Sequence, residues 1–304
     1  MLLHVQERFR TLRRELKLSQ EAMAEKLNVS QKHIYRIERG IADVDMWTFI
    51  SMMEMLGKPT EDYWLLFLEG KEYEDYNNYK ELRRVLRNEN RAEAEVLYNK
   101  LKASEVAEKP FLQQFLTCVR ITLDTEMTPE DAIGEARKAL EISIPDFREA
   151  DISQYALTYN EISFLLLMAS KYSQQENYEK AIHINEGILK ARERFRVTPD
   201  DVAAVMPVLV FNLSNLYGKS KDYRTSLKYS AQALDMCKGY NNLYLVPEVL
   251  HNMALDYVDL GEPEDMYKPL IKRAYYSARA HSNNELANKI KKYAEEKLGI
   301  SDLD

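Results

Sequence analysis

Cysteine is nearly absent from this sequence: Cys118 and Cys237 stand far apart with no paired spacing. That excludes a disulfide framework and a thiolate zinc site, and it fits a reducing cytoplasm. Glycine and proline are scarce too, at nine each in 304 residues. So few turn-formers exclude collagen-like chains, glycine-rich linkers and turn-dense all-β folds. Long apolar runs are missing. No stretch approaches the ~20 apolar residues of a membrane span, and residues 1–10 lack the apolar core of a signal peptide. What is present is 45% hydrophobic and 30% charged, a composition of globular rather than disordered chains. Abundant Ala, Leu, Glu, Lys and Arg predict helix throughout, in a chain long enough for about two domains.

Charge is unevenly spread. The net charge is −7, yet residues 1–41 carry nine Lys/Arg against five Asp/Glu, and the remainder 33 against 44. A basic head on an acidic body fits an anion-binding domain joined to something else. The acidic body would repel DNA, so any DNA contact is confined to the head.

The first 70 residues predict five helices. The first covers 3–16, with Phe9, Leu12 and Leu16 on one face. Ser19 is placed to cap a second helix, Gln20 to Leu27, and Ser30 a third that ends at Arg39, where Gly40 stops it. Asn28, between them, suits the left-handed conformation of a tight turn. A fourth opens at Asp43 or Asp45 and passes Trp47, Ile50 and Met53 to Leu56; Pro59-Thr60 announces a fifth through Trp64 to Leu68. Met23, Leu27, Val29, Ile34 and Ile37 fall where two helices meeting across a short turn bury them, and Ala24 fits a close crossing. Gln31, Lys32, His33 and Arg36 are left facing outward on the third helix. They are either a solvated face or a set that reads DNA. In the major groove glutamine pairs with adenine, and arginine or lysine with guanine.

The run SQEAMAEKLNVSQKHIYRIERG is similar to the phage-repressor (XRE-type) helix-turn-helix family. It departs at Asn28, where the family usually has glycine. The resemblance implies that Gln31, Lys32 and Arg36 hold base-reading positions, that Gln20 and His33 reach phosphates, and that Arg39 is a further phosphate candidate. It also implies that Arg13 pairs with Glu38, bracing the first helix on the third.

From Tyr73 onward the chain reads as paired amphipathic helices. The expected pairs are 75–88 with 91–103, 109–125 with 129–142, 151–173 with 177–194, 199–219 with 222–238, and 243–260 with 263–281. A last helix, 284–298, caps the stack. Tyr172 and Tyr217 are 45 residues apart, as are Tyr178 and Tyr223. Such hairpins resemble tetratricopeptide (TPR) repeats, which stack into a superhelix whose concave surface, lined by the first helix of each pair, binds peptide or protein segments. The tyrosines and methionines are read as repeat packing. His4, His183, His251 and His281 show no metal spacing. Asn212, Asn215 and Asn252 lie on first helices, and Asn212 and Asn252 each precede a repeat tyrosine by five residues. An Asn amide both donates to and accepts from a peptide backbone; the other reading is interhelix hydrogen bonding.

The expected fold is therefore all-α, with an N-terminal five-helix helix-turn-helix domain, 1–70, followed by a TPR-like α-solenoid with a C-terminal capping helix, 71–304. This combination resembles the RRNPP-type (PlcR/Rgg-like) peptide-responsive transcriptional regulators of Gram-positive bacteria. FLQQFLTC at 111–118 and the NYEKAI–EGILK and DYRTSL–AQALD hairpins belong to the likeness. It implies a cytoplasmic homodimer that binds double-stranded DNA and a short signalling peptide, with no membrane association. An inner-helix Asn grips the peptide in this family; Asn212 matches it, Asn252 sits where a polar amide is also used, and Leu167 departs from the pattern one repeat earlier. Arg84 and Arg87 are candidate carboxylate partners by charge. No catalytic constellation, cofactor or metal is expected. The alternative is a helix-turn-helix adaptor-repressor whose TPR domain binds a protein partner without a pheromone.

Overall fold

The structure, a computed structural model, describes residues 2–42, 46–56, 70–87 and 90–303. Among them there is no strand, only helices and one isolated bridge between Thr158 and Arg196. They form two compact units, Met1–Val106 and Ala107–Asp304. The division falls later than the motif boundary at 70/71, so the first helical hairpin belongs with the head.

In the first unit, α1 (Leu2–Glu15), α2 (Gln20–Lys26), α3 (Gln31–Glu38) and α4 (Met46–Met55) are followed by α5 (Gly70–Arg87) and α6 (Arg91–Lys102). The apolar spacing translates directly into a core of Phe9, Leu12, Met23, Ala24, Ile34, Ile37, Met52, Met53 and Leu56. Leu27 and Val29 pack against it. Ser19 and Ser30 cap as their positions predict, accepting from the Ala22 and His33 N–H groups at 2.9 and 3.1 Å. The expected fifth helix through Trp64, and Asp43 and Asp45 before α4, lie outside the described residues. α5 and α6 pack on each other, burying Leu82 and Val85 on one and Ala94, Leu97 and Leu101 on the other.

The second unit is a run of nine helices: α7 (Pro110–Leu123), α8 (Pro129–Glu141), α9 (Tyr159–Gln174), α10 (Tyr178–Ala191), α11 (Pro199–Lys219), α12 (Tyr223–Gly239), α13 (Val246–Asp259), α14 (Glu264–Ala280) and α15 (Asn284–Leu298). Each packs on the next, and the first helices α7, α9, α11 and α13 also touch in succession. That double adjacency is what stacked hairpins produce. Thr128 and Thr198, each followed by proline, cap α8 and α11 by accepting from Asp131 N–H and Asp201 N–H, both at 3.2 Å.

Two helices start later than the periodicity predicts. Residues 149–154 form a 3-10 turn, and α9 begins only at Tyr159. There Glu161 accepts from the Thr158 N–H at 2.7 Å, and the two residues form a capping box. Likewise Leu243–Leu245 is a 3-10 turn, and Pro247 sits in the first turn of α13, where its missing N–H costs nothing. One expectation is corrected: α11 is long and apolar enough, by length and composition alone, to cross a membrane. Its apolar surface is nonetheless occupied, since Val205, Leu209, Val210, Leu213 and Leu216 are all buried in the second unit.

The chain turns the same way at eight of the fifteen helix ends among the described residues. A residue with positive φ follows the helix, and the next N–H reaches back five residues to a helix carbonyl. Lys17, Asn28, Gly40, Glu176, Lys221, Asn241, Gly261 and Ser282 are these left-handed residues. The matching bonds are Leu18 to Arg13, Val29 to Ala24, Ile41 to Arg36, Asn177 to Tyr172, Asp222 to Tyr217, Asn242 to Cys237, Glu262 to Tyr257 and Asn283 to Ala278, all 2.8 to 3.0 Å. This is the Schellman closure, which satisfies carbonyls that the helix leaves open. Only two of the eight residues are glycine, so a side chain sits in a strained conformation at the others. Lys221→Gly should raise stability by up to about 1 kcal/mol, and Lys221→Val should lower it, because a branched Cβ fits a left-handed residue worst. Thermal melts of the two variants against the parent check the opposite signs.

Candidate DNA-reading face and candidate peptide site

The third helix is fixed from beneath by a buried ion pair. The Arg13 Nε and Nη2 donate to the two Glu38 carboxylate oxygens at 2.6 and 3.1 Å, and Nη1 donates to the Leu18 carbonyl at 2.5 Å. Both side chains are almost wholly buried. Two charges out of water are costly, so the pair is held for orientation more than for net stability. It ties α1, the α1–α2 turn and α3 together. The Gln20 amide joins it, its Nε2 donating to Glu38 Oε2 at 2.7 Å. Gln20 therefore already has a partner within the chain, and only its second N–H remains for a phosphate.

On the opposite side of α3, Gln31, Lys32 and Arg36 are exposed and make no side-chain hydrogen bond or ion pair among the described residues. Half-buried His33 has its ring free, while its backbone N–H is taken by the Ser30 cap. Arg39 is exposed, with its guanidinium carbon 5.6 Å from the centre of the Tyr35 ring. Four cations or amides on one helix face, none internally neutralised, form a surface suited to nucleic-acid base edges and phosphates. The sequence reading missed Tyr35, although its spacing of four from both Gln31 and Arg39 places it on that same face.

In the second unit the first helices carry parallel stripes that are less buried than the rest. They comprise Ser163, Leu167 and Ser170 on α9, Val208, Asn212 and Asn215 on α11, and Glu248, Asn252 and Leu255 on α13. Asn212 and Asn215 are half-buried, with no side-chain hydrogen bond among the described residues. Asn252 differs. Its Nδ2 lies 2.8 Å from Ser214 Oγ, 3.3 Å from both Ser226 Oγ and Ser230 Oγ, and 3.4 Å from Asp256 Oδ2. Ser226 donates to Asp256 Oδ2 at 2.6 Å, and Ser214 Oγ sits 2.6 Å from Ser230 Oγ. This polar knot joins α11, α12 and α13, so Asn252's donors serve interhelix bonding, and only its carbonyl faces no partner. Gly218 leaves the room it needs: a Cβ there would lie 3.2 Å from Asp256 Oδ1 and 3.3 Å from Ser226 Oγ. The sequence signal was Ser226 and Ser230, and Asn252 and Asp256, each four residues apart on adjoining helices.

Arg84 pairs with Glu81 on its own helix, on the exposed surface of the first unit. Arg87 closes α5, but its side chain is outside the described residues. Cys118 and Cys237 are free thiols, and burial pushes them up to about 12 and about 11. No group of three His, Cys, Asp or Glu side chains is placed to hold a metal among the described residues.

Residues 9–63 match the helix-turn-helix family HTH_3. No curated relative matches the sequence. Among solved structures, Bacillus thuringiensis PlcR in complex with the peptide PapR7 and DNA aligns with a TM-score of 0.70 at 17% identity, over 94% of this chain and 98% of that one. ComR from S. thermophilus, in complex with DNA and its signalling peptide ComS, aligns with a TM-score of 0.63 at 16% identity, over 94% and 97%. A cysteine-to-serine variant of the Streptococcus dysgalactiae SHP pheromone receptor Rgg2 gives 0.55 at 13%, over 97% and 99%. This chain has the fold of PlcR, ComR and Rgg2. The likeness drawn from the sequence thus holds for the architecture from end to end: a helix-turn-helix followed by helical repeats.

The polar knot has a consequence for stability. Burial, aided by nearby Asp259, pushes the Asp256 carboxyl up to about 6 against the Ser226 hydrogen bond that lowers it. The folded state then holds a proton more tightly than the unfolded chain, so this contribution is full below about pH 4 and is lost as pH rises through 6. Buried His251, pushed down to about 4 by desolvation and then by Lys289, acts oppositely over the same range. Asp256→Asn isolates the first effect. Its stability relative to the parent should rise by about 2–3 kcal/mol between pH 4 and 7, read from urea unfolding at several pH values. A difference that stays constant with pH would remove Asp256 from this role.

Proposed function

We propose that the chain is a sequence-specific DNA-binding transcriptional regulator whose helical repeats bind a short signalling peptide that controls its DNA affinity. The observation that carries the first half is the free outer face of α3, mounted on the Arg13–Glu38 pair. Lys32 and Arg36 read base edges together with Gln31, while His33, Arg39 and Gln20 approach phosphates. One recognition helix reads few base pairs, so the regulator, a cytoplasmic protein in this reading, acts as a homodimer on two half-sites about one helical turn, or a multiple of it, apart. Support for the second half comes from the shared fold, since the PlcR and ComR structures hold both DNA and a peptide. Asn212 is the residue best placed to clamp a peptide backbone, with Asn215 beside it. Asn252 contributes its carbonyl, or releases the serines first. Arg84 must exchange Glu81 for a peptide carboxylate, and with Arg87 it stands in the other unit from Asn212. The adaptor reading, a protein partner without a pheromone, draws on Leu167 and on the engaged Asn252.

Two measurements test this. Binding to DNA from the gene's own upstream region should weaken steeply with salt, and Arg36→Ala should cost about 1–3 kcal/mol on the preferred site but much less on random duplex. An equal loss on both would confine Arg36 to phosphate. For the peptide, synthetic segments of five to ten residues from small reading frames beside the gene are titrated against the protein–DNA complex. Asn212→Ala should raise the peptide concentration needed for the response by about 5- to 150-fold, the effect of an unpaired backbone group, with basal DNA binding unchanged. An unaltered response would move the ligand away from α11.

A further inference from the structure

Tyr35 is an exposed aromatic ring in the middle of a cationic surface, with no place in the core. Successive helix residues are about 100° apart, which orders the outward face of α3 as Gln31, Tyr35, Arg39, Lys32, Arg36. Tyr35 lies in that arc between Gln31 on one side and Lys32 and Arg36 on the other. Ile34, Ile37 and Glu38 point to the buried side. Tyr35 is 45% exposed, and it is absent from the apolar cluster formed by α1 to α4. One contact is made instead, the Arg39 guanidinium over its ring at 5.6 Å. With Arg39 over the ring, Tyr35 still exposes nearly half its surface.

A helix lodged in the major groove turns its base-reading residues toward base edges, and Tyr35 lies within the arc that Gln31, Lys32 and Arg36 span. The group in that groove that suits an apolar ring is the 5-methyl of thymine. We propose that Tyr35 is a specificity-determining residue whose ring packs on a thymine methyl group, while Arg39, held over the opposite ring face, is kept from folding across the base-reading surface. This inference rests on the DNA-binding reading and adds to it one base, a contact that needs no hydrogen bond. The three cationic side chains around the ring, Lys32, Arg36 and Arg39, supply the charge complementarity that brings the duplex to it.

The test uses the full chain. Preferred duplexes are selected from a random pool, and each thymine in the selected half-site is replaced in turn by deoxyuridine, which removes only the methyl. For the parent, one position per half-site should lose about fourfold in affinity, the value of one buried methyl group. Tyr35→Phe should keep that loss, and Tyr35→Ala should abolish it. Tyr35→Ala removes nothing from the core, and a circular dichroism melt matching the parent's confirms its fold. Deoxyuridine that is neutral at every position overturns the proposal, as does a loss of equal size in Tyr35→Ala. A Tyr35→Phe variant that loses the effect assigns the contact to the hydroxyl and overturns the ring–methyl packing. Selection that enriches no duplex at all overturns the DNA-binding reading itself, and this inference with it.

Discussion

No helix in this chain can bury its apolar stripe alone, so each depends on the chain turning back at once to bring its neighbour alongside. The left-handed closure at eight helix ends meets that need in three or four residues. It also answers the carbonyls that the last helical turn leaves open. With the reversal achieved by lysine, glutamate, serine and asparagine as well as glycine, a chain of only nine glycines can still consist almost entirely of helix hairpins. The same turn serves the head and the repeats, although the two pack their helices for different ends.

In the head, the reversal sets α2 against α3, and the Arg13–Glu38 pair then fixes how α3 stands. Three donors, two from Arg13 and one from Gln20, converge on the Glu38 carboxylate beneath the helix, and none reaches its outer face. A buried pair of this kind adds little net stability compared with an apolar replacement. It does hold one helix in one rotation about its axis, which a surface that reads bases requires. In the repeats the serine knot and its single carboxyl take the equivalent place between helices.

That knot separates two asparagines that look alike in the repeat pattern. Asn212 and Asn252 share a register five residues before a tyrosine, yet the first makes no side-chain hydrogen bond among the described residues and the other bonds to serines of two neighbouring helices. The difference comes from Ser214, Ser226 and Ser230: 45 residues earlier stand Ala169, Ala181 and Asn185. In a repeat protein, equivalent positions on successive hairpins face the same direction. What they meet there depends on the neighbours.

The sequence by itself determined the helices, most of their ends and the helix-turn-helix, because caps, left-handed asparagine and apolar spacing act within a few residues of one another. Ser19, Ser30, Thr128 and Thr198 cap where they stand in the sequence for that reason. It also located Arg13 and Glu38 as partners, through resemblance rather than spacing. Only the tertiary structure decided which polar atoms are already engaged between helices: Gln20 on Glu38 and Asn252 on the serines. It alone put Asp256 in a setting that raises its carboxyl. Those outcomes depend on atoms brought together from residues up to 38 positions apart, and no local pattern records such meetings.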